Sequence, residues 1–401
     1  MQDYYHSKAL DQYFPTRLDY LLYAHDGRGL GHVSRTTAVG LALKRLYPES
    51  RILLITGSAK TQMMVGRGSL DWIKLPSYQT ILTGGKSEGR DGEAGFYKSV
   101  LGNLRAEMIA DMVKVLRPRC LLVDHNPLGK RQELRQALDQ SGDGNCRWLL
   151  GLRAIVGEDK AVWSSETAGI FHDCYQDVLW YGDSGVLTDE PMKRIGGHFG
   201  RTPVEMGYVS RVRELAHLYE EDGDGVETIG CTVSIPWFGP HTAGLLSSLY
   251  EALTAMGEEW GRCHFYVEPS RSREVKELFN LLSCCTVEPI GDRYIGSLIK
   301  SKVAIIYGGY NSIIDVLALN RPALVVLRAT RDREQQEHLM RLQRSVGTAM
   351  QVVEEEAVSG PVLIEKLLLL LDERPGDSLA IDCEGAERTA VYLHRLVQDQ
   401  S

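Results

Sequence analysis

Between Tyr23 and Arg35 the chain places His25, Asp26, Gly27, Gly29, Gly31, His32 and Arg35 within one short loop. An apolar run, Leu18 to Ala24, precedes the loop, and a helical pattern from Val33 to Leu46 follows it. A strand therefore feeds a glycine-rich turn that opens a helix. Glycines there let the backbone come close to a ligand, and the helix N-terminus offers free N–H groups. His32 and Arg35 stand on the first turn. An imidazole with an ordinary pKa near ~6.5 suits proton transfer at neutral pH. A capping or core histidine is the plainer alternative. A dinucleotide fingerprint is excluded, because its third glycine would fall at His32 and no acidic residue closes the next strand. A P-loop is excluded because no Gly-Lys-Ser/Thr follows.

Three further segments carry candidate chemistry. Gly308 and Gly309 join an apolar run to a helical pattern, and Asn311 or Ser312 is placed to cap that helix. Asp315 falls about one turn inside, where a carboxylate can accept hydrogen bonds from ribose hydroxyls. Arg328, Arg331 and Arg333 follow the run Ala323–Leu327 and suit a diphosphate. Glu334 and Gln335 begin a helix continuing through His338 and Arg341. Asp124, before His125-Asn126-Pro127, could orient a base or an acceptor hydroxyl; a strand-end turn explains it nearly as well.

These loops need a scaffold of buried strands. Candidate strands are Leu18–Ala24, Arg51–Thr56, Cys120–Val123, Arg147–Gly151 and Val178–Tyr181. A second series is Thr228–Ile235, Cys263–Val267, Thr286–Pro289, Val303–Tyr307 and Ala323–Leu327. Most are continuous apolar runs, the pattern of parallel strands covered on both faces. Two such series imply two doubly wound α/β domains, whose ligands bind at the strands' carboxyl ends. The boundary is expected in the polar stretch Arg211 to Val226, giving domains at 1–210 and 227–383 and an amphipathic terminal helix within 384–401.

Composition fits this picture. A chain of 401 residues exceeds one ordinary core. Hydrophobic content of 43% and charged content of 24% are those of a soluble globular protein. The net charge of −8 gives no nucleic-acid footprint. Eight cysteines without CxxC spacing read as reduced thiols in a cytoplasmic protein. The N-terminus lacks a secretory h-region, and no apolar run spans a membrane.

Taken together, these motifs resemble the GT-B glycosyltransferases, specifically a bacterial group distantly related to the lipid-II-forming transferase of peptidoglycan synthesis. The likeness rests on His25 to Arg35, Val123 to Gly129, Leu149 to Ile155 with Trp163, Trp180 to Asp183, Gly207 to Val209, Gly309 to Ser312, and Arg328 with Glu334 and Gln335. It implies an N-terminal acceptor domain and a C-terminal nucleotide-sugar domain facing across a cleft, with the terminal helix crossing back. It implies an inverting, metal-independent transfer from a nucleotide-diphosphate sugar, uridine by default, to a small-molecule acceptor such as a secondary metabolite. No cofactor beyond that donor is expected.

The same resemblance gives His32 and Asp124 the catalytic positions. Gly29, Gly31, Gly308, Gly309, Asn311, Ser312, Asp315, Arg328, Glu334 and Gln335 fall on the donor side, and His25, Asp26, Arg35, His125 and Arg153 on the acceptor side. The chain departs from the pattern where Ile235-Pro-Trp-Phe-Gly-Pro240 replaces a run of glycines, and where Ala154 replaces an acidic residue. A nucleotide-sugar epimerase of the same fold, with Asp124 abstracting the proton, and a non-catalytic partner of a transferase are the alternatives.

Overall fold

The computed structural model describes residues 17–25, 30–83, 86–92, 95–141, 146–157, 159, 162–220, 229–257, 260–291, 293–328, 333–372 and 381–399. For 79–83, 86–92, 220 and 333–335 it describes the backbone alone. The chain divides into two compact units, Met1–Arg211 with Glu384–Ser401, and Val212–Cys383.

Unit 1 holds β1 (Tyr20–Ala24), β2 (Ile52–Thr56), β3 (Trp72–Lys74), β4 (Tyr78–Thr83), β5 (Lys86–Gly92), β6 (Cys120–Asp124), β7 (Arg147–Arg153), β8 (Tyr175–Tyr181) and β9 (Val204–Glu205). Seven of these form one sheet in the order β3-β2-β1-β6-β7-β8-β9, parallel throughout. β4 and β5 make a separate antiparallel hairpin. Every residue of β1 and β6 is buried, as expected for central strands with both faces covered.

The first helix, α1 (Gly31–Leu46), is buried along most of its length, from Val33 to Leu43. One cover is the terminal helix Gly385–Gln398, which buries Ala386, Ala390, Leu393 and Val397. His394 stacks on Tyr47 at 3.6 Å and hydrogen-bonds the Tyr20 hydroxyl at 3.1 Å. Gly385 is required at the start of this helix, because a Cβ there would overlap the backbone carbonyls of Gly207 and Tyr208.

Unit 2 holds β10 (Ile229–Ile235), β11 (Arg262–Val267), β12 (Cys285–Pro289), β13 (Ser301–Tyr307), β14 (Ala323–Leu327) and β15 (Met350–Glu354). They form one parallel sheet in the order β12-β11-β10-β13-β14-β15. Val233, Phe265, Ile305 and Leu324 face Leu249 and Leu253 of α2 (Thr242–Met256) and Leu363 and Leu367 of the helix Gly360–Asp372 within one core. Each such side chain contributes about 1.5–3 kcal/mol on burial.

All ten strands read from the sequence form, with ends shifted by a few residues; Thr228 lies outside the described residues. β3, β9 and β15 are additional edge elements, short or interrupted by polar residues. The polar stretch from Arg211 is not all linker: Arg211–Glu220 is a helix burying Val212 and Leu215, and 221–228 lies outside the described residues. All eight cysteines are free thiols. Among the described residues no helix is long and apolar enough to cross a membrane.

Candidate active site

In unit 1 the chemistry gathers at the carboxyl ends of β1, β6 and β7. His25 follows β1, Asp124 closes β6, Arg153 closes β7, and Gly31, His32 and Arg35 lie on the first turn of α1. Asp26 and Gly29 lie outside the described residues. The α1 N-terminus has no side-chain cap among the described residues and no acidic residue in its first turn.

His32 Nδ1 lies 2.5 Å from Oδ2 of Asp124. Arg35 binds the same carboxylate through both oxygens, Nε to Oδ1 at 3.1 Å and Nη2 to Oδ2 at 2.9 Å. Burial alone would raise the Asp124 carboxyl. The Arg35 guanidinium and the His32 N–H outweigh it and hold Asp124 well below the usual carboxylate range. An ionised Asp124 can only accept, so Nδ1 of His32 carries the ring proton. Nε2 is then the basic nitrogen, and the ring keeps 22% of its surface exposed. Burial lowers the His32 pKa to about 4, against the upward pull of Asp124. The imidazole is therefore neutral at physiological pH.

Two more imidazoles surround it. The His25 ring is 3.8 Å from that of His32, and the His125 ring is 5.2 Å from it. Burial, then His32 and His125, push His25 well below its ordinary value. His125 sits at φ +74°, where its N–H reaches the Gly151 carbonyl at 2.8 Å and its Nε2 lies 3.1 Å from Asp159. His125 Nδ1 and His25 Nδ1 are buried without a hydrogen-bond partner among the described residues. Asn126 closes the turn by accepting from the Leu128 N–H at 2.9 Å.

The support for this cluster is itself polar and buried. Gly151 pairs with Asp124 across β6 and β7, and its missing side chain makes room for the Tyr181 ring. Burial, and then Asp124, raise the Tyr181 hydroxyl. One strand over, Tyr23 of β1 donates to Glu133, which also holds Arg105 at 2.6 and 2.8 Å with both charged side chains fully buried. Neither Glu133 nor Arg105 stands out in the sequence. The resemblance puts Arg35 on the acceptor side; its guanidinium is 4% exposed and turned to Asp124.

In unit 2 the candidate groups lie after β13 and β14. Gly308 abuts β14, where a Cβ would overlap Leu327, and its N–H bonds the Val326 carbonyl at 3.0 Å. Gly309 is the N-cap of α3 (Tyr310–Ala318), which has no side-chain cap. Asn311 and Ser312 therefore sit inside the first turn and do not cap it. Asn311 Oδ1 is buried without a partner among the described residues. Asp315 lies in the second turn, 8% exposed.

Arg328 is not a free cation. Its Nε lies 3.2 Å from Glu355 Oε2, and its Nη2 donates to the Trp237 carbonyl at 2.6 Å and to Thr242 Oγ1 at 3.3 Å. The guanidinium carbon stands 3.9 Å over the Tyr307 ring. Glu355 also accepts from Thr242 at 2.9 Å and from Tyr307 at 2.5 Å. The Nε and Nη2 groups of Arg328 are thus engaged within the protein by Glu355, Trp237 and Thr242. Arg331 and the Glu334 and Gln335 side chains lie outside the described residues, on and before α4 (Arg333–Val346).

Neither a scan of protein-family models nor a search of curated proteins gives a match. Solved structures do match across nearly the whole chain. A putative UDP-N-acetylglucosamine 2-epimerase from Listeria monocytogenes is 12% identical, covering 96% of this chain and 97% of its own, with a TM-score of 0.62. The glycosyltransferase VinC in complex with dTDP is 10% identical over 95% of this chain and 100% of its own, with a TM-score of 0.55. MurG from Acinetobacter baumannii is 11% identical over 95% of this chain and 98% of its own, with a TM-score of 0.52. The fold is GT-B. At these identities the likeness is one of GT-B architecture, and activity must be argued from the side chains.

Proposed function

We propose that the protein is a glycosyltransferase that moves a sugar from a nucleotide-diphosphate donor to a small-molecule acceptor, with His32 as the base. The observation that carries this reading is the 2.5 Å contact of His32 Nδ1 with an Asp124 carboxylate fixed by Arg35. It sets the tautomer that presents Nε2 as a proton acceptor. Nε2 takes the proton of the acceptor nucleophile, which attacks the anomeric carbon. The bond from that carbon to the diphosphate breaks, and its electron pair stays on the departing oxygen. The imidazolium that forms is stabilised by Asp124. Unit 2 supplies the donor groups in this reading: the Gly308–Gly309 backbone, Asp315 toward the ribose, Glu334 and Gln335 toward the sugar, and Arg328 with the α2 N-terminus toward the departing charge. An inverting course without a metal ion and a uridine nucleotide belong to the same proposal.

The epimerase alternative needs Asp124 to abstract a proton. An anion whose two oxygens are engaged by Arg35 and His32 is poorly suited to that. The deciding experiment is a panel of nucleotide-diphosphate sugars, assayed with and without candidate acceptors. Nucleotide-diphosphate release that requires an acceptor and is lost in His32→Ala supports transfer. Acceptor-independent conversion of the sugar nucleotide would establish the epimerase. A melting temperature unmoved by any nucleotide diphosphate, together with co-elution with an active transferase, would make the chain a non-catalytic partner.

A further inference from the structure

Unit 2 carries a row of thiols far along its strands from the Gly308 loop. Cys231 on β10 is paired in register with Cys263 on β11, and Cys263 with Cys285 on β12. Paired positions on neighbouring parallel strands lie about 4.8 Å apart and project from the same face. Disulfides span Cα separations of about 4.4–6.8 Å, a range that includes this spacing. Cys284 adjoins them, its Sγ 3.9 Å from that of Cys285, and its carbonyl accepts the Cys263 N–H at 2.8 Å. Cys231 and Cys263 are buried, whereas Cys284 and Cys285 are half-buried on the sheet's edge strand. The row thus runs from the core outward to solvent.

We propose that Cys263 and Cys285 form a reversible disulfide, with Cys284 as the thiol that first attacks a low-molecular-mass disulfide such as oxidised glutathione. The Cys284 thiolate attacks one glutathione sulfur, the S–S bond breaks, and one glutathione thiolate leaves. Cys285 attacks the Cys284 sulfur and releases the second glutathione. Cys263 then attacks the Cys285 sulfur and returns Cys284 as a thiol. Two protein thiols are oxidised, one glutathione disulfide is reduced to two thiols, and the two protons pass to them. The neighbouring Cys263 thiol and burial raise Cys285; for Cys263, burial outweighs the opposing influence of Cys285. Thiolate is therefore scarce at neutral pH, and exchange accelerates as pH rises. Once formed, the bond clips the edge strand β12 to β11 and restricts the unfolded chain of unit 2.

The test is a peptide map of the full-length protein after incubation with oxidised glutathione at neutral and mildly alkaline pH, with free thiols alkylated before digestion. The expected product joins the Cys263 and Cys285 peptides, lowers the free-thiol count by two, and forms faster at the higher pH. Cys284→Ser should give the same bond about tenfold more slowly, and Cys285→Ser should give none. A stable glutathione adduct on Cys284, a Cys284–Cys285 bond as the end product, or eight intact thiols in the folded protein would each overturn the proposal.

Discussion

Asp124 binds His32 and Arg35 at once, and both contacts favour its charged form. Arg35 keeps the carboxylate charged, and the charged carboxylate keeps the proton on Nδ1 of His32. His32→Ala should lower transfer by roughly 10²–10⁴-fold, the usual worth of a general base. Asp124→Asn preserves the shape and removes the charge, so it should cost at least about tenfold in kcat while leaving the donor KM near its original value. Steady-state kinetics on both variants tests the pair; an Asp124→Asn enzyme with full kcat would remove Asp124 from the mechanism.

The pH dependence follows from the direction of the His32 shift. Folding lowers its pKa from about 6.5 to about 4, so between those values the unfolded chain binds more protons than the native one. Stability is therefore fully present above about pH 6.5 and is lost as pH falls toward 4, by about 2 kcal/mol between pH 7 and pH 5 from this group alone. His25 acts in the same direction. Urea denaturation at the two pH values should show the loss, and His32→Gln should reduce it. The acid limb of kcat/KM should lie nearer pH 4 than pH 6.5.

The Tyr181 ring occupies the space that a side chain on Gly151 would need. Tyr181 is 2% exposed and cannot swing into solvent without loss of packing. Gly151→Ala should cost about 1–3 kcal/mol by overpacking. Thermal melts should show that Tyr181→Leu recovers part of this loss, since the two residues share one space and their effects are coupled.

Arg105 and Glu133 are a fully buried ion pair, and removal of one partner strands the other charge. Arg105→Met should destabilise unit 1 by about 3–5 kcal/mol. The double variant Arg105→Met with Glu133→Leu should be closer to the original stability, provided Tyr23, which also donates to Glu133, tolerates the change. A double-mutant cycle by chemical denaturation measures the coupling.

Gly385→Ala tests how the terminal helix docks. Its added Cβ would meet backbone carbonyls that cannot move like a side chain. Proteolysis near residue 384 should accelerate, while an exposed change further along the same helix, Arg395→Gln, should leave the cleavage rate nearly unaltered.

Much of the architecture was legible because strands buried on both faces advertise themselves as unbroken apolar runs, as in Cys120–Val123 and Ala323–Leu327. β15 escaped notice because Gln351 and Glu354 interrupt its apolar run at the sheet edge. His32 and Asp124 could each be nominated from local pattern. Their pairing could not, since 92 residues separate them and nothing near either residue specifies the other. Arg328 illustrates the converse. A strand-end arginine reads as a free anion ligand until Glu355, 27 residues on, is seen to hold it.

Val209 bridges Glu384, and the Gly385 N–H bonds the Tyr208 carbonyl at 2.9 Å. The chain thus leaves unit 1 and returns to it at adjacent points, so unit 2 is in effect an insertion within unit 1. On the ribosome, the helix that covers α1 is made only after unit 2. Unit 1 must wait, with one apolar flank of α1 uncovered, through the synthesis of all of Val212–Cys383. Unit 2, encoded without interruption, is free to finish folding before the unit that begins the chain.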